Sequence, residues 1–297
     1  MIPDFERFRF GFGTAGEAGP GLAVPVLGGS GGETLFAQAR GAGRAAGFEL
    51  FAEGDWLLGV RIEEAAADMG EQTRMLYNDL LGLMRERGLA AVRIWNFVPS
   101  INEASAEGLE NYRVFCRGRA QAYEHELVGI PPAASAVGGV SGRLAVYFAA
   151  CAVEPRRVEN PEQVPAYAYP LEYGPRAPSF SRAAQVTVNG KRLTFVSGTA
   201  AIKGHATVAG ENLAQQIDCT LDNLGLISVA CGLGSDLGAG TAVARHFKVY
   251  VRHAADFETV RAALDARLFR VGDQVCWLRS DICRAELLFE VEATVVE

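Results

Sequence analysis

The chain has 297 residues, 49% of them hydrophobic, and 28 Lys and Arg against 35 Asp and Glu give it a formal net charge of −7. This length fits one large or two modest domains with a sizeable core. The acidic balance argues against non-specific binding to nucleic acid or to a membrane surface. A few converging arginines can still form a positive pocket for an anionic substrate.

The cysteines and the N-terminus indicate a cytoplasmic protein. The six cysteines are scattered, without a CxxC pattern and without a histidine at ligand spacing, which argues against a metal site or a disulfide framework. The first residues show no secretion signal, and no apolar run reaches the ~20 residues that span a bilayer. We therefore expect neither a membrane nor a nucleic-acid partner.

The first half predicts, in chain order, a strand at 22–27, a hairpin of strands at 47–53 and 56–62, a helix at 63–87, a strand at 90–98 and a helix at 109–124. Met69, Leu76 and Leu80 recur at helical spacing in the first helix. Gly88 is suited to end that helix in a left-handed conformation, and Pro99 is expected to stop the following strand.

The second half predicts the same order, with strands at 184–188 and 192–197, a helix at 211–231, a strand at 246–252, a helix at 256–268 and closing strands that end with the segment 283–293. Asn189-Gly190 between the first two strands is typical of a type I′ hairpin turn. A short sequence similarity supports a repeat: MLYN at 75–78 matches TLDN at 220–223. Shared secondary structure alone can also produce such a similarity.

We therefore predict an α+β fold of two divergent β-β-α-β-α-β domains, each a mixed sheet with two helices on one face. The expected boundaries are 1–153, a linker at 154–176, and 177–297. The linker is rich in proline and contains Tyr167, Tyr169 and Tyr173, whereas flexible linkers are usually rich in Gly and Ser. It is expected to pack against the domains or to line a cleft between them, where the active site would lie.

The second half resembles the small YjgF/RidA domain. The resemblance rests on its order of elements, on APSFSRA at 177–183 and on FVSGTA at 195–200. It implies that the closing strand carries a glutamate into an anion-binding cleft, and Glu290 takes that place.

Three blocks together resemble the chorismatase family: LENYRVFCRGRAQAY at 109–123, YGPRAPSFSR at 173–182 and DICRAELLFEVE at 281–292. The resemblance implies cofactor-independent enzymes that remove the enolpyruvyl group of chorismate as pyruvate. Some members stop at a dihydroxycyclohexadiene carboxylate, and others form 3-hydroxybenzoate, alone or with 4-hydroxybenzoate. Conversion of chorismate to pyruvate and 3-hydroxybenzoate is the leading expectation here.

Chorismate is a dianion, and arginine clamps carboxylates best through its planar fork. Arg176, between two prolines, is the first candidate, with Tyr173 and Ser179 in the same block. Arg119 and Tyr123 form a second basic and aromatic cluster. The alternatives are a loop salt bridge for Arg176 and a solvated helix end for Arg119.

Cleavage of an enol ether begins with protonation of its methylene carbon, which needs a general acid of raised pKa. Glu290 is our candidate. Glu292 shares its strand face and is expected in an outer layer or at the surface, where such paired glutamates are commonly just solvated. The resemblance implies that Cys283 accompanies aromatisation to hydroxybenzoate; the alternative is a core cysteine.

Two other functions stay open. A RidA-like deaminase acting on enamines or imines would use Arg279 to bind a carboxylate, and a non-catalytic binding protein would use the same cleft without turnover. We expect a monomer, because two fused domains can form the groove that single-domain relatives form between subunits.

Overall fold

The computed structural model describes residues 8, 10, 12, 24–30, 35–126, 129–139, 141–210, 212–238 and 243–297. The strand predicted at 22–27 begins outside these residues, and so does the helix predicted from Glu211. Within the described part, the first strand, β1, spans Val26–Gly29.

The first half contains β2 (Arg40–Ala45), β3 (Phe48–Glu53), β4 (Trp56–Glu64), α1 (Met69–Arg87), β5 (Ala90–Pro99), α2 (Asn111–His125), β6 (Ala133–Gly139) and β7 (Arg143–Cys151). The observed hairpin of β3 and β4, the two helices and β5 confirm the elements predicted for this half. Helix α1 begins later than predicted because Asp68 caps it by accepting a hydrogen bond from the backbone N–H of Glu71. Gly88 ends α1 at φ 62°, as expected. Strand β6 was not predicted, because Ala and Gly have low strand propensity.

The second half contains β8 (Arg156–Val158), β9 (Ala183–Val188), β10 (Lys191–Thr199), β11 (Ile202–Lys203), β12 (Ala206–Thr207), α3 (Leu213–Ala230), β13 (Ala244–Val251), α4 (Phe257–Arg267), β14 (Gln274–Arg279) and β15 (Phe289–Val296). Asn189 and Gly190 both have positive φ, 52° and 74°, which confirms the type I′ turn. The closing strand begins only at Phe289, so the prediction of strand from Cys283 was wrong.

The two halves share one topology. The first sheet has the order β2-β3-β4-β7-β5-β6, and the second has β1-β14-β13-β15-β10-β9-β8. When β2 is left out of the first sheet, and β1 and β8 out of the second, the matching orders are β3-β4-β7-β5-β6 and β9-β10-β15-β13-β14. In each sheet only the last pair named for it is parallel, β5 with β6 and β13 with β14. The repeat is confirmed, with one closing strand more in each unit than predicted.

Two strands add to the second sheet from elsewhere in the chain. Strand β1 lies in the range expected for the first domain, yet it pairs with β14. Strand β8 comes from the predicted linker and pairs with β9. The segments around the proposed boundary therefore bind the two halves together.

The sheets pack face to face, with helices on the outside. Trp95 and Tyr147 of the first sheet share a buried core with Phe195 and Tyr250 of the second. Helices α1 and α2 cover the outer face of the first sheet, and α3 and α4 cover that of the second. Each sheet thus has two helices on one face, as predicted. No helix among the described residues is both long and apolar enough to cross a membrane.

Candidate active site

A cavity of about 440 Å³ opens between the two halves. Its walls come from α2, β6, the linker, β10 to β12, the turn after β14, and β15. Tyr169 and Tyr173 of the linker line it, so the expectation that the linker tyrosines pack against a cleft is confirmed for these two.

Glu290 presents a buried carboxyl group to this cavity. Its side chain is 4% exposed, and its Oε1 has no hydrogen-bond partner among the described residues. Burial, with the nearby charge of Glu292, raises the pKa of Glu290 to about 8, although Arg93 and Arg182 oppose the shift. At neutral pH the group is therefore mostly protonated and can donate a proton, as a general acid must.

Gly198 makes room for this carboxyl group. A Cβ atom at position 198 would lie 2.0 Å from Oε1 of Glu290. The register between β10 and β15 shifts between Val196 and Thr199, and bulges of this kind are common next to active sites. The neighbouring residues of the segment 197–201 are small as well, and Gly198 and Ala200 line the cavity.

Glu292 is buried, which excludes the surface and leaves the outer layer of the two places expected for it. Its carboxylate accepts hydrogen bonds from Arg93 Nη2 at 2.6 Å, Trp95 Nε1 at 3.0 Å and Ser135 Oγ at 2.5 Å, and Lys248 Nζ lies 2.9 Å from Oε1. Burial alone would raise the pKa of Glu292, but Lys248 and Arg93 hold it below its ordinary value. Two neighbouring carboxyl groups thus have pKa values pushed apart, the pattern of an acid and a fixed charge.

Cys283 lines the cavity from the turn between β14 and β15. It is half-buried, whereas the other five cysteines are buried. Burial, followed by the charge of Glu290, raises the pKa of the Cys283 thiol to about 12. The side chain therefore faces the cavity as a neutral thiol, which can donate a weak hydrogen bond but is not a thiolate base.

Three of the other predicted residues lie away from the cavity. Arg176 is exposed and forms an ion pair with Glu124 at 3.0 Å, which is the loop salt bridge named above as the alternative. Ser179 and Tyr123 are buried, and Tyr123 packs edge-on against Tyr77. None of the three is among the described residues that line the cavity.

Arg119 does line the cavity, and it is only 1% exposed. The solvated helix end considered above is therefore excluded for this residue. Its guanidinium lies 4.9 Å from the centre of the Phe115 ring, and it pairs with no carboxylate among the described residues. Its Nε lacks a hydrogen-bond partner there as well. A buried arginine in this state is suited to receive an anionic group.

Arg182 was missed by the sequence reasoning. It is buried at the start of β9, where Nη2 donates to the Tyr169 hydroxyl at 2.7 Å, and its guanidinium lies 5.0 Å from the centre of the Phe180 ring. It lines the cavity and forms no ion pair within the described part of the chain. The block 173–182 ends on this residue, so the block did contain the cavity arginine, but the role of binding a carboxylate was assigned to Arg176.

Arg284 was missed too. Its guanidinium lies 4.1 Å from the centre of the Tyr173 ring, and Nη1 donates to Thr207 Oγ1 at 3.1 Å. It lines the cavity, again without a carboxylate partner in the described ranges. Arg279, the arginine of the deaminase alternative, is exposed and is not among the described lining residues.

The described residues contain no group of His, Cys, Asp or Glu placed to hold a metal ion. The cavity therefore combines a protonated carboxyl group, a neutral thiol and three arginines without acidic partners. Such a site can bind a compact dianion and transfer a proton to it.

The comparisons with known proteins agree with this geometry. A family model described as "Chorismatase FkbO/Hyg5-like, N-terminal" matches residues 35–150. A 3-hydroxybenzoate synthase of Streptomyces hygroscopicus is 40% identical over 239 residues, which cover 76% of this chain and 69% of the relative. A chorismatase of Streptomyces rapamycinicus is 40% identical over 253 residues, 81% of this chain and 75% of the relative. A crystal structure of chorismatase superposes with a TM-score of 0.79 at 34% identity, covering 86% of this chain and 80% of that one.

Proposed function

Since the chain belongs to the chorismatase family, we propose that it converts chorismate to pyruvate and 3-hydroxybenzoate without a cofactor. The observation that carries this proposal is the buried carboxyl group of Glu290, whose pKa is raised to about 8 inside a cavity lined by arginines. A protonated acid beside bound anions is what the first step requires.

In the proposed mechanism, Glu290 transfers its proton to the methylene carbon of the enolpyruvyl group. The resulting oxocarbenium ion is trapped by a hydroxyl group of the ring or by water, and its collapse releases pyruvate. When a ring hydroxyl traps it and the ring then becomes aromatic, the two products together contain the same atoms as chorismate. When water traps it, one water is consumed and a dihydroxycyclohexadiene carboxylate is formed.

Arg113, Arg119, Arg182 and Arg284 line the cavity, and Arg113 pairs with Glu110 at 3.3 Å. The other three, Arg119, Arg182 and Arg284, are proposed to bind the two carboxylates of chorismate. None has an acidic partner among the described residues, so the substrate would supply the missing negative charge. Arginine binds carboxylates in a planar, bidentate manner. The ring of Tyr173, against which Arg284 packs, would help to hold that guanidinium in place.

Cys283 is proposed to direct the outcome towards the aromatic product. It lies as a neutral thiol on the wall of the cavity that Glu290 also lines, and the charge of Glu290 contributes to its raised pKa. We also propose that the protein acts as a monomer, since both halves of a single chain supply the walls of the cavity.

The test is incubation of the purified protein with chorismate alone, with pyruvate followed by a coupled assay and ring products by chromatography. Pyruvate with equimolar 3-hydroxybenzoate is expected. Pyruvate with only a non-aromatic diene would leave the role of Glu290 standing and overturn the assignment of the product. Absence of pyruvate would overturn the proposal, and would leave the deaminase and the non-catalytic binding protein to be separated.

A further inference from the structure

The turn Asp281–Leu288 carries two cavity residues, Cys283 and Arg284, and leads into the strand that bears Glu290. It is not part of either sheet, but its start is bonded to β6, because the Gly138 backbone N–H donates to the Asp281 carbonyl at 2.8 Å. Its last residues are tied to α3, because Gln216 donates to the Glu286 carbonyl and accepts from the Leu288 backbone N–H. The segment that presents Cys283 needs another anchor.

Arg252 supplies that anchor from the end of β13. Its Nε donates to the Leu287 carbonyl at 2.8 Å, and Nη2 donates to the carbonyls of Ile282 at 3.2 Å and Arg284 at 2.9 Å. Nη1 donates to the Asp281 carboxylate at 2.8 Å. These acceptors lie on both sides of Cys283, so a single guanidinium spans the segment that carries it.

The remaining contact reaches the other half of the molecule. Arg252 Nη1 also donates to Asn102 Oδ1 at 3.0 Å, and Asn102 Nδ2 in turn donates to the Ile282 carbonyl at 3.1 Å. All five N–H groups of the guanidinium therefore have an acceptor. Burial lowers the pKa of Arg252 in spite of the nearby Asp281. The desolvation of this cation is offset by its five hydrogen bonds, most of which are to backbone carbonyls.

We propose that Arg252 is a positioning residue that holds the turn Asp281–Leu288 so that Cys283 and Arg284 face the cavity. This inference rests on the proposed function for its kinetic consequence only. Glu290 lies on β15 and is held by pairing with β13, so loss of Arg252 should disturb substrate binding and product choice more than the proton transfer itself. Lysine cannot replace Arg252, because an ammonium has three donors and no planar fork.

The chain offers a matched control in Arg245, on the same strand. It is equally buried, and it donates to the Asp236 carbonyl at 2.8 Å, to the Leu268 carbonyl at 3.0 Å and to Asp273. None of these partners lines the cavity. Arg245→Lys therefore removes a comparable buried network without touching the turn.

The experiment compares Arg252→Lys with Arg245→Lys by two readouts. The first is kcat and KM for pyruvate release from chorismate. The second is the rate at which iodoacetamide alkylates Cys283 in the folded protein, followed by mass spectrometry; it needs no turnover, and the other five cysteines are buried. In Arg252→Lys we expect KM to rise about tenfold, kcat to change less than about threefold, and alkylation to accelerate about tenfold. Arg245→Lys should change neither.

Unchanged KM and unchanged alkylation in a folded Arg252→Lys protein would overturn the proposal, and so would equal changes in both variants, since these would indicate general loosening. If Arg252→Lys does not fold, Asn102→Ala replaces it, because it removes one acceptor of Arg252 and one donor to Ile282. If the wild type releases no pyruvate, the proposed function fails, while the alkylation rates still decide whether Arg252 positions the turn.

Discussion

Arg93 and Lys248 occupy equivalent strands of the two halves and bind the same carboxylate, that of Glu292. On β7, the residue opposite Arg93 is Ala149, whereas on β15 the residue opposite Lys248 is Glu292. Only the second copy of the repeat therefore has an acid at this position, and both cations bind it where the sheets meet. The ionised Glu292 in turn helps to keep Glu290 protonated.

Glu290→Gln is expected to lower the rate of pyruvate release about a hundredfold or more, because an amide cannot supply the proton. The amide has nearly the same shape, so chorismate should still bind, as measured by calorimetry. Glu297→Gln, at the exposed end of the chain, is the control and should keep full activity. A Glu290→Gln protein with more than about a tenth of the wild-type rate would rule out Glu290 as the general acid.

The rate of pyruvate release should fall as pH rises through about 8, the pKa of Glu290. The acid must be protonated to react, so the rate is level below that pH and drops about tenfold per unit well above it. Glu292→Gln removes a negative charge that raises this pKa, and the midpoint should then move to lower pH. A pH–rate profile of both proteins is the measurement, and a rate that increases across pH 8 would contradict this role of Glu290.

Glu292→Gln should also destabilise the protein by about 3–5 kcal/mol, because it leaves Arg93 and Lys248 buried without their carboxylate. Urea unfolding at pH 7 measures the loss. Glu297→Gln breaks an exposed ion pair with Arg192 and should cost no more than about 1 kcal/mol. Equal losses of stability in the two variants would show that the buried carboxylate contributes no more than the exposed ion pair.

Gly198→Ala should reduce pyruvate release at least about tenfold, since the new methyl group must displace the Glu290 carboxyl or the strand beside it. Gly82→Ala, in the interior of α1, meets no atom closer than 3.9 Å and should keep activity while gaining up to about 1 kcal/mol of stability. Steady-state kinetics with chorismate on both variants decides the matter. Full activity in Gly198→Ala would mean that the carboxyl group can react from another position.

Cys283→Ala should preserve pyruvate release within about tenfold and shift the ring product from 3-hydroxybenzoate to a non-aromatic diene. The reason is that a thiol with a pKa of about 12 is neutral during turnover and is not needed for the first proton transfer. Chromatography of the products at matched pyruvate yield gives the ratio. An unchanged ratio would show that Cys283 does not direct the choice of product and would favour the alternative of a core cysteine.

The element order and several site residues were predictable from the sequence because they depend on local patterns. Periodicity located α1, the Asn189-Gly190 pair identified a hairpin, and two similar runs of elements indicated the repeat. Strand alternation placed Glu290 and Glu292 on one face. The three blocks at 109–123, 173–182 and 281–292 contained the arginines that line the cavity.

The choice among these residues was made only by tertiary structure. Arg176 and Arg182 stand in the same block, and pattern alone favoured Arg176. Arg182 lines the cavity because it directly precedes β9 and bonds to the linker residue Tyr169, whereas Arg176 is exposed and pairs with Glu124. Likewise, the strand face shared by Glu290 and Glu292 is buried because the two sheets pack on each other. The sequence by itself determined the repeat, its elements and the residue types near the site. Only the tertiary structure decided which carboxyl group is charged and which is protonated, because burial, Lys248 on the neighbouring strand and Arg93 from the other half set the two pKa values.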